Sequence, residues 1–176
     1  EVIVVDNGSE DPESAAARRA HPWVRWIQLD ANVGFGAANN IGARAARGDV
    51  LLLLNPDAFA DPTVPAQVES LYHRDPTVGA IGFRQVDLDG HWQLSVGIKP
   101  SIMGELLRKA LQDQLDQGSH RVGRLMDRWL SQRTPVSWVA GSALALSRKA
   151  YWCVDGFDER FFLYFEDIDL CLRLKE

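Results

Sequence analysis

At 176 residues, with 46% apolar content, the chain suits one domain with a sizeable core. Its formal net charge of −5 is spread along the sequence without a basic block, which argues against nucleic acid as a partner. Two cysteines, Cys153 and Cys171, are too few for a disulfide framework or a zinc site and read as free thiols of a reducing compartment, while no apolar stretch approaches the roughly 20 residues of a bilayer span.

The first half alternates strand and helix at βα spacing, which predicts an open, mostly parallel α/β sheet flanked by helices. A strand over 2–5 leads to a helix over 12–20 capped by Asp11-Pro12. A short strand over 26–29 and a helix over 37–47, closed by Gly48, come next. The unbroken apolar run over 50–54 reads as a strand buried on both faces. A helix over 63–73 with Asp61-Pro62 as its cap and a strand over 80–83 follow. Asp87-Leu88-Asp89-Gly90 is a turn by composition, and 92–96 an edge strand. Ile102, Leu106, Leu107, Ala110, Leu111 and Leu115 have helical spacing, continued by Leu125, Met126, Trp129 and Leu130, and read as core or interface. A strand over 136–146 carries the small residues Ala140-Gly141-Ser142-Ala143, where a neighbour can approach the backbone closely. The chain opens in a strand and closes inside a helix over 174–176, so it is expected to be a piece of a longer chain, incomplete at both ends.

Chemistry concentrates where apolar runs meet acids. Residues 161–165 are largely aromatic and lead directly into Glu166, Asp167 and Asp169. Acid beside apolar bulk loses water and gains a raised pKa, which makes a general base that works near neutral pH; the plainer reading is an aromatic core strand followed by a helix with acids in its first turn. Pro56 cannot donate to a ladder, so the strand over 50–54 stops there and presents Asp57 at its carboxyl end, where open α/β sheets bind ligands. With Asp61-Pro62 serving the next helix, Asp57 is left for a ligand or a metal. Asp6, an exposed acid closing the first strand, suits hydrogen bonds from a base or a ribose, and Asn7-Gly8 gives the tight turn beside it.

Gly34 and Gly36 begin a dinucleotide fingerprint, with Asp57 near the distance of its ribose acid. Asn39 stands in place of the third glycine and the preceding strand is not the first, which argues against a nicotinamide-dependent oxidoreductase. A phosphate-facing loop at the head of the next helix is the alternative.

Asp6-Asn7-Gly8-Ser9, Asn32-Val33-Gly34-Phe35-Gly36 with Asn39-Asn40, Leu54-Asn55-Pro56-Asp57, and Gly156-Phe157-Asp158-Glu159-Arg160-Phe161-Phe162 running into Glu166-Asp167-Ile168-Asp169-Leu170 together resemble the family 2 glycosyltransferases, in particular their bacterial rhamnosyltransferase-like branch. Each motif is weak alone; four in the family's order over nearly the whole chain are specific. The resemblance implies a GT-A fold with a Rossmann-like nucleotide-binding half and a single catalytic domain over 1–176. It also implies a nucleotide-diphosphate sugar donor, a glycan or lipid-linked acceptor of cell-wall or polysaccharide biosynthesis, inversion at the anomeric carbon, and Mg²⁺ or Mn²⁺ as cofactor. By position, Asp6, Asn7, Asn32, Gly34, Asn39 and Asn55 would line the nucleotide-sugar site, with Asp6 on the base. Asp57 would hold the metal, Asn55 replacing the first acid of the D-x-D-like element. Asp167 would be the general base with Glu166 beside it, and Asp169 structural. Arg173 would meet either a carboxylate or a phosphate. Asp155 departs from the family, standing where many relatives have glycine. The implied location is cytoplasmic, at the inner face of the membrane with peripheral association. The rival from another class is a non-catalytic nucleotide-sugar-binding module whose metal site Asn55 has weakened.

Overall fold

The computed structural model describes residues 1–97, 100–130 and 132–175. In chain order the elements are β1 (Ile3–Asp6), α1 (Pro12–Ala20), β2 (Arg25–Gln28), α2 (Phe35–Ala45), β3 (Val50–Leu54), α3 (Val64–Arg74), β4 (Ala80–Gly82), β5 (Gln85–Val86), β6 (Trp92–Gln93), β7 (Val96–Gly97), α4 (Ile102–Asp116), α5 (His120–Leu130), β8 (Trp138–Val139), β9 (Ala143–Ser147), α6 (Arg148–Cys153) and α7 (Glu166–Arg173). The architecture is the expected α/β type. β1 and β2 pair in parallel, from Ile3 opposite Arg25 to Asp6 opposite Gln28. β3 and β4 share a direction on either side of β9, which runs antiparallel to both.

β9 is the centre of the core. Leu144, Ala145 and Leu146 are fully buried, and period-2 alternation sends them to opposite faces. Leu144 and Leu146 pack with Tyr151, Phe157 and Leu170, whereas Ala145 meets Val68 and Tyr72 of α3. Each such leucine contributes about 1.5–3 kcal/mol by leaving water. A separate cluster of Trp92, Leu115 and Met126 joins β6 to α4 and α5.

Several boundaries differ from the sequence reading, each for a local reason. The strand expected over 136–146 is two strands, β8 and β9, and between them the Gly141 N–H turns to the Asp167 carboxylate. The edge strand expected over 92–96 is divided into β6 and β7, and the Leu94 N–H donates to Gln112 Oε1 of α4 at 2.8 Å. Asp11 caps α1 as expected, accepting from Ser14 N. Asp61 does not cap α3; its carboxylate accepts from Thr63 N at 2.8 Å and Thr63 Oγ1 at 2.6 Å, closing a turn before the helix starts at Val64. α2 begins at Phe35, two residues early, and ends before Ala46 rather than at Gly48. α7 ends at Arg173, and Glu176 lies outside the described residues.

The largest correction concerns 161–165, which forms neither a core strand nor a dry wall. Phe162, Leu163, Tyr164 and Phe165 are 53 to 72% exposed in an irregular loop. Tyr164 and Phe165 both have φ of 69°, in the left-handed region where side-chain-bearing residues are strained. Consecutive left-handed residues cannot continue a strand, so the aromatic run turns outward before α7.

Candidate active site

The carboxyl end of β3 and the start of α7 meet at the connection between β8 and β9. Gly141 donates its N–H to Asp167 Oδ2 at 2.9 Å, and Asp167 Oδ1 accepts from Ile168 N at 2.8 Å. Two backbone donors thus hold this half-buried carboxylate at the N-terminus of α7, where the helix dipole also favours negative charge. The next residue, Ser142, accepts from Asn55 N at 2.9 Å through its carbonyl. The end of β3 and Asp167 are therefore bonded to consecutive residues. Gly141 is required here, since a Cβ would stand 2.9 Å from Phe35 Cε1 and 3.5 Å from Asp167 Cβ. The small-residue run signalled this close approach; Phe35, one of the two groups that make it, carried no signal of its own.

A second seam joins the aromatic loop to the head of α2. Phe35 N donates to Phe162 O at 3.0 Å, and Gly34, at φ 92°, leaves only 2.6 Å between a built Cβ and that same carbonyl. Gly34 N is already taken by Asn32 Oδ1 at 2.9 Å. The amides of Gly34 and Phe35 are therefore engaged within the protein itself.

Asn7 and Asn32 are likewise turned on each other. Asn7 Nδ2 donates to Asn32 Oδ1 at 2.9 Å, and Asn7 Oδ1 accepts from Val33 N at 2.9 Å. They fix the loops at the ends of β1 and β2. Asn39 donates to Phe35 O within its own helix at 2.9 Å. Asp6, expected exposed, is nearly buried; its Oδ1 accepts from Ser9 N at 2.8 Å, while Oδ2 has no partner among the described residues. Asp57 is exposed at the end of β3, and its carboxylate makes no hydrogen bond or ion pair among the described residues. Its hard oxygens suit a divalent cation held mainly by phosphates, and Asn55 adds no charge.

Glu166 behaves differently from its neighbour. It is 5% exposed, and its Oε2 is sealed from solvent without a hydrogen-bond partner. Burial pushes its carboxyl above the ordinary value, and the Asp167 charge adds to the shift. The raised acid expected in this motif is therefore Glu166, which does not face solvent as an acceptor-contacting group must. Asp169 pairs with Arg173, whose Nε lies 2.8 Å from Asp169 Oδ2 and whose Nη1 reaches Val154 O, so Arg173 meets a carboxylate rather than an open site.

Asn40 was not among the candidates but is central to the frame. Buried at 1% exposure, it donates to Phe157 O and Glu159 Oε1 and accepts from Phe157 N and Tyr151 Oη. It locks α2 to the segment that precedes the aromatic loop. Within that segment Asp155 has φ of 63°, a conformation that explains why glycine would be at ease there. Asp158 is held down to about 2 by its hydrogen bonds with the Arg160 side chain and backbone. A further acidic group, Asp87, Asp89 and His91, has ligand atoms within 4.8 Å of one another. Asp87 Oδ1 already accepts from Asp89 N at 3.0 Å and His91 N at 2.8 Å, which is the chemistry of the expected turn.

The chain is similar to known proteins along nearly its whole length. The chain is 32% identical over 184 residues to the N-acetylglucosaminyl-diphospho-decaprenol L-rhamnosyltransferase of Mycobacterium tuberculosis, covering 98% of this chain and 60% of the relative. It is 26% identical to the low-salt glycan biosynthesis hexosyltransferase Agl10 of Haloferax volcanii, over 99% of this chain and 53% of the relative. The chain thus spans little more than half the length of these relatives. Among solved structures, the mannosyltransferase PcManGT from Pyrobaculum calidifontis, in complex with GDP-Man and Mn²⁺, aligns with a TM-score of 0.58 at 21% identity over 97% of this chain and 41% of its own. S. aureus TarS in complex with UDP aligns with a TM-score of 0.60 at 15% identity over 97% of this chain and 44% of its own. The shared fold is that of GT-A glycosyltransferases. The family model described as Glycosyl transferase family 2 matches residues 1–152, and the chain belongs to that family.

Proposed function

We propose that the protein is an inverting glycosyltransferase that moves a sugar, rhamnose in the most specific form of the proposal, from a nucleoside-diphosphate donor onto a glycan or lipid-linked acceptor. The observation that carries this reading is the bridge at Gly141 and Ser142, which ties the Asp167 carboxylate to the end of β3. An acceptor hydroxyl is a poor nucleophile and a nucleoside diphosphate leaves with concentrated charge, so base and charge compensation are needed on opposite sides of the anomeric carbon.

In this account Asp167 takes the proton of the acceptor hydroxyl while Gly141 N–H and Ile168 N–H hold its orientation. The acceptor oxygen bonds to the anomeric carbon from the face opposite the diphosphate, whose C–O bond breaks, and the configuration inverts. Asp6 Oδ2 accepts from the nucleobase. Asp57 would hold a divalent cation, Mg²⁺ or Mn²⁺, which when bound offsets charge on the diphosphate. Glu166 acts through position, filling the space under Asp167. The rhamnosyl and lipid-linked details rest on the mycobacterial relative's name.

The test is a panel of dTDP- and UDP-sugars with the full-length protein, with and without Mn²⁺ or Mg²⁺, following nucleoside-diphosphate release and transfer. Metal-dependent turnover of one donor supports the proposal. Binding with no turnover under any acceptor favours the non-catalytic module, and no donor binding at all removes both.

A further inference from the structure

The outward-turned aromatic run leads directly into the proposed base and is held in place on both sides. Phe162, Leu163, Tyr164 and Phe165 are four consecutive large apolar side chains, each more than half exposed, and none joins a core cluster among the described residues. Phe162 O accepts from Phe35 N at 3.0 Å, and Phe165 O accepts from Asp169 N at 2.9 Å in the first turn of α7. Between these two anchors Tyr164 and Phe165 keep the left-handed φ of 69°, a conformation that costs free energy without burying either ring. Strain that folding does not need, beneath a fixed apolar surface at the mouth of a candidate site, is where a ligand lies.

We infer that Tyr164 and Phe165 form a platform for the acceptor, on which a neutral pyranose ring lays its C–H face while its hydroxyl edge meets Asp167. The inference rests on the transferase reading and names the part of the acceptor that the site recognises. Asp167 follows Phe165 by two residues in the first turn of α7, and a hydroxyl that gives up its proton there must come within roughly 2.6–3.2 Å of the carboxylate. The ring that carries this hydroxyl therefore lies over the start of α7, next to the loop. Charge selects the same occupant. The other ionic groups of residues 158–173 are paired or sealed: Asp158 with Arg160, Glu159 with Arg44, Asp169 with Arg173, and Glu166 in the interior. Asp167 is left as the unbalanced charge of this segment, so a phosphate or an anionic headgroup would meet like charge. A second copy on a twofold axis would set two such carboxylates against each other. A lipid tail or an apolar polypeptide segment would strip water from the half-buried carboxylate without offering it a donor. A pyranose meets both demands, apolar on its face and rich in hydroxyl donors at its edge.

The experiment is saturation-transfer NMR titration of the full-length protein, with UDP or dTDP present, against the methyl glycosides of glucose, galactose and N-acetylglucosamine. Geranyl phosphate serves as the lipid probe, and sedimentation velocity runs alongside. The expected result is saturation of the ring C–H protons of at least one glycoside. Its Kd should rise about fivefold or more in Tyr164→Ala and in Phe165→Ala, and change by less than about twofold in Tyr164→Phe, which keeps the ring. Tyr164 is 72% exposed, so its variants report even where Phe165→Ala disturbs the start of α7. Absence of glycoside binding overturns the inference, as does glycoside binding that both alanine variants leave unchanged. Binding of geranyl phosphate in place of the glycosides, or self-association that the alanine variants abolish, overturns it too. Because binding is read without turnover, the transferase reading fails separately: glycoside binding of the expected kind with no donor turned over upholds the platform and removes the transfer.

Discussion

Gly141 and Asp167 lie 26 positions apart in sequence and meet through one hydrogen bond of 2.9 Å from the glycine N–H to the carboxylate Oδ2. Because Ser142 also accepts from Asn55, any shift of the β8–β9 connection moves the proposed base and the end of β3 together. Rigid coupling of this kind is what a displacement reaction needs, as a misplacement of about 1 Å can cost two orders of magnitude in rate.

The seam between the aromatic loop and α2 should be intolerant of a side chain. Gly34→Ala places a methyl 2.6 Å from a carbonyl oxygen in a backbone conformation at φ 92°. Urea denaturation is expected to show a loss of about 2–3 kcal/mol. A midpoint equal to the parent's would mean that the loop adjusts freely and is not pinned by Phe35 and Phe162.

Burial of Glu166 sets a pH dependence of stability. Its folded pKa is raised above the ordinary 4.5, so folding favours the protonated form. The contribution is full below the unfolded pKa and is lost as pH rises through the folded one. Glu166→Gln cannot ionise, so its melting temperature should match the parent near pH 4 and exceed it increasingly toward neutrality. A constant difference across that range would show that the carboxyl ionises without penalty.

How much was legible follows from where the information sits. Strand ends marked by Asp6 and by Asn55-Pro56-Asp57 were readable because apolar runs and proline act locally. The antiparallel placement of β9 between β3 and β4 was not, because its pairing joins residues some ninety and sixty positions away, as in Leu54 with Ala143 and Gly82 with Leu144. The aromatic run over 161–165 misled for a physical reason. Composition gives its apolar content but not the left-handed φ at Tyr164 and Phe165, which turns those side chains outward. Asn40 looked like one more polar residue of a loop motif, and only its four hydrogen bonds to Tyr151, Phe157 and Glu159 reveal a buried lock.

The Asp57 side chain makes no hydrogen bond or ion pair among the described residues, so its truncation should leave the fold untouched within about 0.5 kcal/mol. Its proposed task is to hold a cation on the donor diphosphate. Calorimetric titration of Asp57→Ala with UDP or dTDP is expected to show affinity weakened about tenfold or more in Mn²⁺ and little changed in chelator. Unaltered affinity in Mn²⁺ would return Asp57 to the turn after β3.

The central claim is that Asp167 takes the acceptor's proton, and the most direct measurement is kcat with donor Kd for Asp167→Asn beside Asp169→Asn. Asparagine keeps the shape that Gly141 and Ile168 hold but cannot accept a proton. Asp167→Asn should lose about 10²–10⁴-fold in kcat with donor Kd unchanged. Asp169→Asn, which only weakens the pair with Arg173, should act through stability and keep most turnover. Near-normal turnover in Asp167→Asn, with a large loss in Asp169→Asn that melting data do not explain, would contradict the account and move the base to the other carboxylate.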